Sequence, residues 1–180
     1  GFDADVGFVE GSQSHPRLLA HPWFTDELVV VAAPVHPLAA RAVSLKQLRE
    51  APWALREPGS GTREAADRWL LECVGPLRVE FELSSPEAIK RLVAAGAALG
   101  CLAREVVAHE LAQGTLVEVR TGLPRTTRQL SLVLHRDRRL GRATEDFVRH
   151  CLRTSPVPPP AAHLPPSPRV RDRAYDPISR

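Results

Sequence analysis

The hydrophobic positions of this chain switch between two periods, and each switch marks a new element. "DADVGFVEG", Asp3–Gly11, alternates as a short strand that ends at a glycine. The stretch after it reads as a loop. "DELVVVAAP", Asp26–Pro34, is then a near-continuous apolar run, which is what a strand covered on both faces requires. "HPLA" breaks the run, and Ser44–Ala51 follows as a short helix with Ser44 as its cap and Leu45 and Leu48 on one face. Pro52–Glu57 is the next strand. A Gly-Ser-Gly-Thr loop leads from it into a helix whose apolar stripe is Ala66, Trp69, Leu70 and Cys73.

The second half continues the alternation. Arg78–Leu83 reads as a strand and Ser84–Gly96 as a helix. Ser84 and Glu87 are spaced as a capping box, Pro86 suits the first turn, and Gly96 suits the end. Ala98–Ala103 is a short apolar strand, and residues 104–114 form a helix closed by Gly114. Leu116–Arg120 and Arg128–Arg136 are strands, and Gly141–Thr154 is the last helix. Strands that alternate with helices in this way predict an α/β fold with mostly parallel strands. From Ser155 the pattern stops: eight of the final 26 residues are proline. Such a segment lacks the apolar residues that would offset its ordering entropy. It is expected to be an extended or disordered tail. An inert tail is the favoured reading, and a proline-rich ligand the other.

Composition narrows the class. At 180 residues, 43% apolar and 25% charged, the chain suits one soluble domain or two small lobes with a proper core. No apolar run approaches the ~20 residues that cross a bilayer, so no membrane partner and a cytoplasmic location are expected. The chain contains no methionine and opens within a strand, so it reads as a fragment of something longer. Its net charge is +3, of which residues 155–180 carry +2. The remainder is nearly neutral and offers no phosphate-binding footprint. Cys73, Cys101 and Cys151 show no CxxC spacing and no adjacent paired histidines. They read as small buried hydrophobes rather than as zinc ligands or a disulfide framework.

Catalytic signatures are missing from the sequence. No GxSxG, HExxH or GxxxxGK[ST] occurs, the seven histidines are scattered, and Glu57 has no nucleophile to serve. No enzymatic activity, metal or cofactor is expected. Binding is better supported. A helix start presents unpaired N–H groups and partial positive charge. Two hydroxyl-bearing starts follow strands here, Ser60-Gly61-Thr62 and Ser84-Ser85. Either one alone reads as a helix cap. Together, at the carboxyl ends of strands in one sheet, they point to a shared ligand.

The motifs "FTDELVVVAAPVHPLA", "SLKQL", "PWALREPGSGTRE", "SSPEAIKRLVAAGAALGCLAREVVAHELAQGTLVEV" and "RQLSLVLHRDRRL" occur in order over residues 3–153. In this the chain resembles the effector-binding domain of LysR-type transcriptional regulators. The resemblance implies a two-lobed α/β fold of the type 2 periplasmic-binding-protein kind. Leu28–Ala33 and Leu130–His135 would be the crossovers. Residues 38–127 would form a complete second lobe, and residues 1–37 and 128–154 a partial first lobe. It also implies that Ser60, Gly61, Thr62, Ser84 and Ser85 line an effector pocket. Arg56 and Arg63 flank that pocket and suit a small carboxylate or oxyanion. The intact parent is expected to be a homo-oligomer that meets DNA only through an N-terminal winged helix-turn-helix outside this sequence. A solute-binding receptor of a transport system, with the same fold, is the alternative.

Overall fold

The structure, a computed structural model, describes residues 4–10, 15–137 and 139–155. Asp3 and Gly11, the ends of the first expected strand, and the proline-rich tail past Ser155 lie outside those residues. The described chain runs β1 (Val6–Glu10), β2 (Leu18–Ala32), α1 (Leu45–Glu50), β3 (Pro52–Arg56), α2 (Gly61–Cys73) and β4 (Arg78–Leu83). It continues with α3 (Pro86–Ala94), β5 (Leu99–Ala103), α4 (Arg104–Gln113), β6 (Val117–Glu118), β7 (Thr126–His135) and α5 (Arg142–Thr154).

The strands form one sheet in the order β1-β7-β2-β5-β3-β4, with β6 paired to β2. The expectation of mostly parallel strands is corrected. β3 runs parallel to β4 and β5, but β7 is antiparallel to both β1 and β2, and β2 is antiparallel to β5 and β6. Alternation of elements predicts parallel pairing only where a helix returns the chain to the same end of the sheet. β3, β4 and β5 keep one direction across the helical connections α2 and α3, whereas β1 and β2 run opposite to every later strand, so each later strand that pairs with either of them is antiparallel to it.

The loop expected between the first two strands is also corrected. β2 begins at Leu18, and its pairing with β7 runs from Leu18↔His135 to Leu28↔Thr126 with a shift between Pro22 and Phe24. Pro22 within this stretch has no N–H to give to a ladder. Over this part β2 is bordered by β7 alone among the described strands, and the bulge at Trp23 accommodates a residue that has no N–H. At Leu28 the neighbour changes: Leu28–Val31 pair with β5, and Val31 and Ala32 with β6. The two expected crossover stretches therefore lie along one pair of long strands but are not opposite each other.

The "LVVVA" run behaves as a doubly covered strand. Leu28, Val30 and Ala32 face one apolar cluster with Trp53, Leu55, Leu99 and Cys101, covered by Leu48 of α1 and by Ala66 and Leu70 of α2. Val29 and Val31 face the other, with Ala54 and Leu102, covered by Ile89 and Val93 of α3 and Val107 of α4. Trp53 is fully buried, and its indole donates to the Leu48 carbonyl at 2.7 Å, so its burial, of order 1.5–3 kcal/mol, leaves no polar group unsatisfied. A third cluster holds Leu132, Leu134, Val148, Cys151 and Leu152, joining β7 to α5.

Helix ends follow their local signals with one exception. Ser44 and Gln47 form a reciprocal capping box, and Gly114 takes a left-handed conformation at the end of α4. At α3, however, the cap is Ser85, whose hydroxyl accepts from the Ala88 N–H at 3.3 Å. The Ser84–Glu87 box is thus corrected by one residue. Pro86 occupies the first helical position, so the residue immediately before it must be the cap.

Candidate functional site

β3 and β4 lie side by side with Arg56 opposite Leu83. Their parallel direction brings the starts of α2 and α3 to the same end of the sheet. The Gly-Ser-Gly-Thr loop earns each of its small residues there. Gly59 has φ +87°, a left-handed conformation that an L side chain resists. The Ser60 N–H donates to the Glu57 carbonyl at 3.2 Å, and the Glu64 N–H donates to the Ser60 carbonyl at 2.9 Å, opening the helix. Ser60 is the N-cap of α2, yet its side chain makes no capping hydrogen bond. Its hydroxyl is not consumed by the helix it begins.

Gly61 leaves room for a side chain from another strand. A Cβ there would overlap the Glu10 carboxylate, standing 2.8 Å from Cδ and 3.3 Å from Oε1. The last residue of β1 therefore sets its carboxylate against the first residue of α2. Glu10 also pairs with Arg128 at 2.7 Å. The Arg128 guanidinium donates to Asp26 Oδ2 at 3.0 and 3.2 Å and to the Thr62 hydroxyl at 3.1 Å. Asp26 is 5% exposed, and its other oxygen accepts from the Glu27 N–H at 2.8 Å.

Each predicted site residue can now be placed. Thr62 is buried and held by Arg128. Ser85 caps α3, and Ser84 is exposed just before it. Arg56 forms a bidentate pair with Glu57 at 2.8 and 3.0 Å. Those hydrogen bonds hold Glu57 below its ordinary carboxylate value and raise Arg56. Arg63 donates to Asp67, to Glu82 at 2.8 Å and to the Arg56 carbonyl at 2.7 Å. Burial opposes its charge, but the bonds to Glu82 and Asp67 outweigh that and raise its pKa. Both arginines are locked beside the loop, and Arg63 ties the start of α2 to β4.

Sequence reasoning missed Glu10, Asp26 and Arg128. Their proximity depends on strand register: Glu10 lies opposite Leu130, two residues along β7 from Arg128 and so on the same face. Two grooves of about 160 and 200 Å³ share Leu28 and Trp69 as walls; the first reaches Arg128, and neither reaches Ser60 or Ser84. Among the described residues no cluster of three His, Cys, Asp or Glu side chains suits a metal ion, and no helix is long and apolar enough to span a membrane.

Residues 2–156 match the profile of the LysR substrate binding domain. The chain belongs to that family. It is 45% identical over 150 residues to the Escherichia coli protein YeiE, described as an uncharacterized HTH-type transcriptional regulator; the match covers 83% of this chain and 51% of that protein. It is 37% identical over 130 residues to the RuBisCO operon transcriptional regulator of Allochromatium vinosum, covering 71% and 43% of the two chains. The LysR-type domain thus spans about half the length of the first of these regulators. The regulatory domain of Synechocystis CcmR in complex with 2-PG superposes with a TM-score of 0.74 at 26% identity, covering 86% of this chain and 74% of that one. The effector-binding domain of QuiR in complex with shikimate superposes at 0.69, 21% identical, covering 84% and 71%. These matches establish the type 2 periplasmic-binding-protein-like fold, with a mixed sheet, expected from the resemblance.

Proposed function

We propose that this LysR-type domain senses a small anionic effector where α2 and α3 begin, and reports it to the DNA-binding part of a transcriptional regulator. Ser60 and Ser84 supply hydroxyls, Gly61 and Thr62 supply first-turn N–H groups, and Ser85 fixes the start of α3. Arg56 and Arg63 flank the site as guanidiniums held in place by Glu57, Asp67 and Glu82. The lobes on either side of the crossover strands, approximately residues 38–127 against 1–37 and 128–154, would shift on binding. In the parent, a homo-oligomer in this reading, that shift alters the geometry of an N-terminal helix-turn-helix.

The observation that carries this reading is Ser60. It holds the N-cap position without using its hydroxyl as a cap, so hydroxyl and neighbouring N–H groups converge on one place that favours negative charge. The 2-PG and shikimate complexes of CcmR and QuiR support small ligands as the class. Calorimetric titration of wild type, Ser60→Ala and Ser60→Thr with sulfate, phosphate and shikimate tests it. Losing a hydrogen bond to a charged ligand costs roughly 1.5–3 kcal/mol, one to two decades of affinity. Ser60→Thr should retain most binding. Equal affinities for wild type and Ser60→Ala would remove Ser60 from the pocket.

A further inference from the structure

We propose that Glu10 is a built-in anion that occupies the effector's place at the start of α2 and must be displaced when an effector binds. This rests on the reading of that helix start as the sensing site. Three observations on separate elements support it. The Glu10 carboxylate stands where only a glycine at position 61 lets it stand. It faces the first turn of a 13-residue helix, where the partial positive charge favours a carboxylate. Its second partner is Arg128, whose guanidinium already serves Asp26 and Thr62.

The two carboxylates on Arg128 are not equivalent. Asp26 is 5% exposed and bonded through both oxygens. The Glu10 side chain is 36% exposed and makes its contacts from the end of a strand. Asp26 is the fixed counter-ion and Glu10 the replaceable one. Displacement leaves Arg128 charge-balanced by Asp26, so an incoming carboxylate or oxyanion takes over the helix start and the place Glu10 held beside Arg128 Nη1, which Thr62 continues to share. A neutral or cationic ligand cannot take over those contacts. Glu10 therefore selects for anionic groups and raises the concentration at which they register, because only the fraction of molecules with Glu10 withdrawn is competent to bind. Its departure also releases the end of β1 from α2, which couples occupancy to the position of that strand.

The test uses inorganic sulfate as probe and the full chain, at constant ionic strength maintained with chloride. E10Q preserves the side-chain shape and removes the competing charge. Calorimetry should give a sulfate Kd at least about tenfold lower for E10Q than for wild type, the factor expected if Glu10 is seated in nine molecules of ten or more. Glu10→Ala should show the same gain and should recover lost thermal stability as sulfate fills the vacated place. An unchanged or weaker Kd in both variants makes Glu10 only a helix-end contact and overturns the proposal. So does the failure of sulfate to bind either variant. Adding Ser60→Ala to E10Q separates the two readings. If the gain persists but Ser60→Ala has no effect, Glu10 competes at an anion site that does not use Ser60. If Ser60→Ala weakens sulfate in both backgrounds without any gain from E10Q, the sensing site stands and the competitor falls.

Discussion

Replacing Asp26 should expose how the buried charge network is held. Asp26 accepts two guanidinium bonds from Arg128, at 3.0 and 3.2 Å, and one from the Glu27 N–H at 2.8 Å. Asp26→Asn keeps the shape and can keep the Glu27 bond, but it removes the charge. A hydrogen bond to a charged group contributes about 1.5–3 kcal/mol. Arg128 still has Glu10, so a loss of about 2 kcal/mol is expected. Asp26→Ala also frees the Glu27 N–H and leaves a void beside a guanidinium whose side chain is only 14% exposed. Removing one partner of a buried pair costs about 3–5 kcal/mol, and the remaining Glu10 pair places the expected loss near the lower end. Equilibrium urea unfolding at neutral pH measures both, since urea is uncharged and the m-value reports whether the transition is still two-state. Adding salt should rescue little, because the pair is shielded from the solvent ions that screen surface charges. Arg128→Met should then cost much less in the Asp26→Asn background than in wild type, with a coupling of at least about 1 kcal/mol. Equal, small losses for Asn and Ala with additive Arg128→Met would refute the argument that Asp26 anchors Arg128.

Gly100→Ala tests close packing rather than charge. Its Cβ would meet Val93 Cγ2 at 3.0 Å, Val31 Cγ2 at 3.3 Å and Ile89 Cγ2 at 3.5 Å. Overpacking of about 1–3 kcal/mol should exceed the 0.4–1 kcal/mol or so gained from a stiffer unfolded chain, and a raised melting temperature would contradict it. The Lys90 cluster makes a pH prediction. The Lys90 ammonium reaches Glu110 at 2.9 Å and Glu87 at 2.7 Å. Its hydrogen bond is the main influence holding Glu110 below the ordinary value of 4.5. Stability from Glu110 is therefore complete above that ordinary value and disappears as pH falls through the lowered one. Glu110→Gln should cost about 1 kcal/mol at neutral pH and nothing in strong acid. Parallel wild-type and variant stability curves across the acid range would refute it.

Local signals were enough for most of the elements. The doubly apolar "LVVVA" run, the Ser44 cap, the Pro86 helix start and the Gly114 stop each act within a few residues, and each element formed where its signal lay. The family was legible for the same reason, as an ordered series of such elements. Signals that depend on a neighbour were not. The stretch before Asp26 carried no sign of the bulge at Trp23 that carries the strand past Pro22, and the direction of β1 and β2 against the other strands showed only in their pairing. The site divides along the same line. Ser60-Gly61-Thr62 was visible as a hydroxyl-bearing helix start, but the meaning of Gly61 was not. Only the register of β1 on β7 brings Glu10 to Arg128, and only the sheet order brings both to α2. Contacts between residues 10, 26, 62 and 128 are set by tertiary packing, because no local period relates positions so far apart along the chain.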